Sequence, residues 1–218
     1  ETRMTLTSLL MIVVRWWHLL FGITWIGMLY YFNFVQGGYF KAATPEALKD
    51  AKAKLAPSAL WWFRWGAMFT FLTGVVLLGY VHGNGQLNGY IICGALMATL
   101  MFLNVWVIIW PNQKIVLGIV QGGDAAAAGA KAALASRTNT LFSVPMVLGM
   151  LAGPHFGGSA AGYGHPALST GGWAMIVIIA ALEANAIFGK QGVLTTVKGV
   201  ITSGIVLAVV MLGLLEFM

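Results

Sequence analysis

Charge is the scarcest property of this sequence. Twelve Lys and Arg and six Asp and Glu make up 8% of its 218 residues, against roughly 25% in a soluble domain. So thin a supply cannot cover a water-facing surface, which excludes an independently folding soluble domain. Cysteine is nearly lacking. Cys93 stands alone, so there is no internal disulfide, no CxxCH motif for covalent haem and no cysteine-rich zinc site. The first apolar run is too long for a signal-peptide core and has no small-residue cleavage site after it, so it reads as a retained helix. No stretch interleaves basic residues with aromatics as a nucleic-acid groove requires. The net charge of +6 has another source, the basic loops of a membrane protein, and nucleic acid is not an expected partner.

What is abundant is apolar. Hydrophobic residues make up 59% of the chain, and the mean hydropathy is +0.84. A helix that crosses a bilayer needs about 20 apolar residues, and six stretches meet this: 8–34, 60–81, 89–110, 134–152, 171–189 and 194–215. The connections are polar, small or rich in Gly and Pro. Residues 41–54 carry four lysines, Glu46 and Asp50, and Pro45 with Glu46 there suits the start of a short surface helix. His82-Gly83-Asn84-Gly85 is a turn signal, and 154–170 reads as a glycine-rich loop. Pro145 should kink its helix. The expectation is an all-α integral membrane protein, one domain over residues 1–218, built as a bundle of about six transmembrane helices.

Orientation follows from where the basic residues fall. With six crossings, the segments 35–59, 111–133 and 190–193 share one side of the membrane. Ten of the twelve Lys and Arg lie in or near that side, and only Arg3 and Arg15 lie toward the other. By the positive-inside rule the basic side is cytoplasmic, which makes both the N- and C-termini periplasmic. The expected location is a bacterial inner membrane, with lipid as an obligatory neighbour.

Under this topology all four histidines, His18, His82, His155 and His165, fall in the periplasmic half. Neutral imidazole is a good axial ligand for haem iron, and a haem b between helices needs small residues beside its ligands. Helix 1 offers His18 with Gly22 one turn away on the same face, and Arg15 one turn the other way for a haem propionate. The alternative for His18 is a packed histidine bonded to a neighbour, and for His82 and His165 a turn or loop residue. Glu183 is the only acid well inside an apolar stretch. It suits either a proton path or an ion pair with Arg64, Arg137 or Lys198. Two polar clusters, Asn104 to Lys114 and Ser136 to Ser143, suit a quinone headgroup, a lipid, or hydrogen bonds between helices.

Several of these motifs resemble a known family. Arg15-Trp16-Trp17-His18 with Ile23-Thr24-Trp25-Ile26-Gly27, then Trp62-Phe63-Arg64-Trp65 with Leu72-Thr73-Gly74, are similar to successive elements of the bacterial membrane-bound urate hydroxylases. This is the cytochrome-c-linked urate oxidase N-terminal family. Gly94-Ala95, Asn104-Val105 and the run Ile108 to Val116 are the closest match, followed by Arg137-Thr138-Asn139-Thr140, Pro145, Met150 and His155. The resemblance covers residues 11–36 and 58–156, and is to the membrane part alone, shortened and without the cytochrome c domain. The family's histidine just before the Gly-Ala pair is replaced by Ile92, and only Gly37-Gly38-Tyr39-Phe40 remains of a longer His-bearing segment.

The resemblance implies electron exchange with a periplasmic haem protein and raises His18 and His155, which match family positions, above the other two histidines. The leading expectation is a membrane-embedded electron-transfer subunit holding haem b near the periplasmic face. Its axial ligands to the iron would be His18 and His155, with Arg15, Gly22 and His82 around them. Other membrane subunits of a respiratory or photosynthetic complex, and a periplasmic cytochrome c, are the expected partners. The rivals are a urate-hydroxylase-like oxidoreductase passing electrons to a cytochrome c, and a cofactor-free structural subunit.

Overall fold

The computed structural model of the chain describes residues 6–155 and 168–218. Among these residues there is no strand. Six long helices follow one another: α1 (Leu6–Ala42), α2 (Pro45–Gly83), α3 (Gly89–Val116), α4 (Ala125–His155), α5 (Thr170–Phe188) and α6 (Val197–Phe217). Five of them, α1, α2, α3, α5 and α6, are long and apolar enough to cross a membrane.

The first two helices are longer than the sequence pattern suggests. They run for 37 and 39 residues, about 55 Å each at 1.5 Å per residue, against a hydrocarbon core of about 30 Å. In the lysine-rich segment 41–54 a helix does start at Pro45, as expected, but it is not short and the segment is not a loop. It is the end of α1 and the beginning of α2, broken only at Ala43 and Thr44. Thr44 caps α2 by accepting a hydrogen bond from the amide of Ala47, and Pro45 sits at the first helical position. Ala, Lys and Glu are strong helix formers, and Lys54 pairs with Asp50 one turn away. Outside the hydrocarbon nothing penalises these charges, so the helix continues.

α4 fails the apolarity test for the opposite reason. It holds Ser136, Arg137, Thr138, Asn139, Thr140 and Ser143, and it is the helix against which α3, α5 and α6 pack. It packs most extensively against α3, then against α6 and α5, and it touches α1 as well. A helix wrapped by protein can be polar where a lipid-facing one cannot. Close backbone approach makes this packing possible. A Cβ on Gly149 of α4 would lie 2.7 Å from the Tyr90 carbonyl oxygen and 3.2 Å from the Cα of Gly94 on α3. Small residues of this kind drive helix association in lipid. α4 starts nine residues earlier than its apolar pattern, at Ala125, and runs through Pro145 without interruption.

The core lies around α4 and α3, where Tyr90, Met97, Met101, Phe142, Met175 and Met211 are fully buried. By contrast, α1 is peripheral. It rests mainly on α2, and Leu9, Ile12, Trp16, Leu19 and Ile23 form an exposed stripe at helical spacing. At the end of α2 the expected turn forms: the amide of Gly85 donates to the His82 carbonyl. Gly85 adopts φ +66°, a conformation open to glycine. Most of the glycine-rich stretch 154–170, with His165, lies outside the described residues.

Candidate functional site

Two polar centres interrupt the apolar bundle. The first joins α1 to α2. His18 is half-buried on the side of α1 that faces α2. Its Nδ1 lies 3.0 Å from the Thr70 carbonyl oxygen and 3.0 Å from the Thr73 hydroxyl. A carbonyl only accepts, and the single Thr73 hydroxyl proton is directed to the Phe69 carbonyl at 2.6 Å. The hydrogen of the neutral ring therefore sits on Nδ1, and Nε2 carries the lone pair. No described residue donates a hydrogen bond to Nε2. This is the arrangement found behind ligating histidines, where the second ring nitrogen is tied to a backbone carbonyl and the first is left to the metal.

The ring can come this close because α2 has a glycine at the contact. A Cβ on Gly74 would lie 3.1 Å from His18 Cε1. Gly22, the small residue expected to make room beside His18, faces Thr70 instead, 3.9 Å from its methyl carbon to an added Cβ. The space that matters is on the partner helix. Leu72-Thr73-Gly74 was legible as a motif, but its contact with a residue 55 positions earlier was not. Arg15, one turn from His18, is exposed, and its guanidinium carbon stands 5.7 Å from the centre of the Tyr80 ring, within the range of a weak cation–π contact.

The other sequence-predicted residues lie apart from this centre. His82 is exposed at the end of α2, and His155 is exposed at the end of α4. Hydrogen bonds between α1 and α4 join Tyr30 to Ser143 and Asn33 to Ser136, three and four turns along α1 from His18. Among the described residues, no contact brings His18 and His155 together. None of these residues forms a group of three or more His, Cys, Asp or Glu able to hold a bare metal ion.

The second centre is the polar core of the bundle. Asn104 on α3 donates to Asn139 Oδ1 on α4 at 2.9 Å and to Glu183 Oε2 on α5 at 3.1 Å. Asn139 donates in turn to the Met101 carbonyl at 2.9 Å. All three side chains are buried. Asn104 also begins a π-helical turn, Asn104–Ile109, an element common at functional sites. Glu183 therefore meets an amide and not a cation. Arg64, one of its expected partners, lies over the Trp110 ring at 3.5 Å. The asparagine pairs tie three helices together, as one reading of the polar clusters anticipated.

A family model described as urate oxidase N-terminal matches residues 82–215, more than half of the chain. The match includes His82 and His155 and leaves Arg15, His18 and Gly22 outside it. It also reaches across α5 and α6, which the motif resemblance followed only by hydropathy. No curated protein and no solved structure matches the chain.

Proposed function

The chain belongs to the urate oxidase N-terminal family, and from that premise we propose that it is a membrane-embedded electron-transfer subunit. It holds a haem b through His18 near the periplasmic face, within a larger respiratory or photosynthetic complex of a bacterial inner membrane. The observation that supports this most is the hydrogen bond from His18 Nδ1 to the Thr70 carbonyl, which leaves Nε2 free to ligate. A porphyrin brings its own four nitrogens, so one prepared histidine is a sufficient beginning for such a site.

In this reading α4 crosses the bilayer with the other five helices. Six crossings return the C-terminus to the side of the N-terminus, and the basic residues at the opposite ends make that side periplasmic. His18 then lies in the periplasmic half, where a soluble cytochrome c can approach. When bound, the haem supplies reversible one-electron transfer. The chain's own residues do the rest. Thr70 and Thr73 fix the imidazole, Gly74 lets it lie against α2, and Arg15 offers a guanidinium to a propionate. His155 and His82, placed at the same membrane face in this reading, would be the candidates for a second ligand to the group.

The test is a dithionite-reduced minus oxidised spectrum of the purified protein, with a pyridine haemochrome assay. A b-type α-band at about one haem per chain, lost in His18→Ala and reduced in His155→Ala or His82→Ala, is the expected result. An unaltered spectrum in His18→Ala would remove the ligand assignment. The family match favours a second reading, a urate-hydroxylase-like oxidoreductase that passes electrons to a cytochrome c. It is tested by urate-dependent reduction of added cytochrome c by membranes containing the chain.

A further inference from the structure

At the opposite end of the bundle, α1, α2, α3 and α4 enclose a half-open cavity of about 260 Å³. Arg137 and Gln36 both line it, and each carries a buried polar atom with no hydrogen-bond partner: Nη1 of Arg137 and Oε1 of Gln36. A π-helical turn, Tyr31–Gln36, shapes this end of α1. Within it Asn33 donates to the Ser136 hydroxyl at 2.8 Å, which ties α1 to the residue beside Arg137. Lys52 is the other cation on the wall, and none of the lining residues is acidic. Phe32, Phe40 and Phe63 contribute aromatic surface.

A buried guanidinium N–H without an acceptor is costly, and no oxygen on the cavity wall accepts a hydrogen bond from Arg137 Nη1. An occupant that satisfies both atoms brings an acceptor to Arg137 and a donor to Gln36. It must also be small, since the volume admits one substituted six-membered ring. And it must be apolar enough for phenylalanine walls. An ionised carboxylate or a phosphodiester group would satisfy Arg137 but has no proton to give Gln36 Oε1. A quinone presents acceptors only. A quinol ring presents both, with one hydroxyl donating to Gln36 and a ring oxygen accepting from Arg137. We propose that this cavity binds the headgroup of a membrane quinol, whose chain stays in the lipid. The inference rests on the cavity and not on the haem reading.

The experiment is isothermal titration of the purified full chain in detergent, under anaerobic conditions, with a decyl-tailed benzoquinol and the corresponding benzoquinone as probes. The expected result is saturable binding at one site per chain, tighter for the quinol. Arg137→Gln should weaken quinol binding by about tenfold, the loss of one charge-assisted hydrogen bond. Gln36→Leu should abolish the preference for quinol over quinone, and this readout survives if Arg137→Gln fails to fold. Haem content, measured in the same samples, should be equal in wild type and Gln36→Leu, which separates this test from that of His18. Equal quinol affinity in wild type and variants overturns the proposal. So does Arg137-dependent retention of phosphatidylglycerol without saturable quinol binding, because that would make the cavity a site for an anionic lipid.

Discussion

The side-chain amides of Asn104 and Asn139 meet at the centre of the bundle, where the Nδ2 of one lies 2.9 Å from the Oδ1 of the other. Each also reaches a third partner, Glu183 for Asn104 and the Met101 carbonyl for Asn139. Asn139 is fully buried, so Asn139→Leu removes two interhelical bonds with no water to replace them. Such bonds average about 0.6 kcal/mol each in membrane proteins, with a maximum near 1.7. We expect Asn139→Leu to destabilise the protein by about 1–2 kcal/mol, read as a lower midpoint of SDS-induced unfolding. An unchanged midpoint would mean that the network contributes nothing to holding α3 against α4.

Much of this fold was legible in the sequence, and the failures share a cause. All six predicted apolar runs fall on helices, and five of those helices are long and apolar enough to cross a membrane, α4 being the exception. The runs do not mark where helices end, because a helix leaving the hydrocarbon loses its apolar signature but keeps its hydrogen bonds. That is why 41–54 reads as a loop and folds as the ends of α1 and α2, and why α4 begins at Ala125 within an alanine-rich stretch. The candidate site shows a second kind of failure. His18 was visible as an intramembrane histidine, but Thr70 and Gly74, which orient it, are more than 50 residues away and carry no local signal. Glu183 suits either a proton path or an ion pair by sequence, and in the structure it accepts a hydrogen bond from Asn104 on the neighbouring α3, a partner with no local signal in the chain.

The crossing of α3 and α4 depends on a pair of glycines. A Cβ at Gly149 would stand 2.7 Å from the Tyr90 carbonyl oxygen, and backbone cannot rotate aside as a side chain can. We expect Gly149→Ala to separate the two helices and to destabilise the protein by about 1–3 kcal/mol, the usual cost of overpacking. Gly79 on α2 is the control. Nothing lies within 4 Å of the Cβ it lacks, and Gly79→Ala should leave the unfolding midpoint within about 0.5 kcal/mol of wild type. Equal effects at the two positions would show that helix propensity, and not close approach, governs both.

The tautomer assigned to His18 can be checked without any cofactor. With Nδ1–H held by the Thr70 carbonyl at 3.0 Å, the neutral ring should show a protonated Nδ1 and a bare Nε2 in the ¹⁵N spectrum of histidine-labelled protein. Gly74→Val places a branched side chain where the Cβ alone would be 3.1 Å from His18 Cε1. The ring must then leave α2, and the ¹⁵N pattern should move toward that of a solvated imidazole. If haem is bound through Nε2, the same variant should lose most of it during purification. A wild-type spectrum with Nε2 protonated would contradict the hydrogen bonding described above.

The direction of the chain through the membrane can be read with single cysteines, because the native one is silent. Cys93 is fully buried on α3 and should not react with a membrane-impermeant maleimide in the folded protein. Lys49 near the start of α2 and Gln86 just beyond its end are both exposed. In intact spheroplasts Gln86→Cys should label at once, and Lys49→Cys only after the membrane is opened. The reverse pattern would invert the topology and put His18 in the cytoplasmic half, out of reach of a periplasmic cytochrome c. Labelling of both sites in intact spheroplasts would show that α2 does not cross. The even count of six, on which the periplasmic placement of both termini depends, would then fail at its second member.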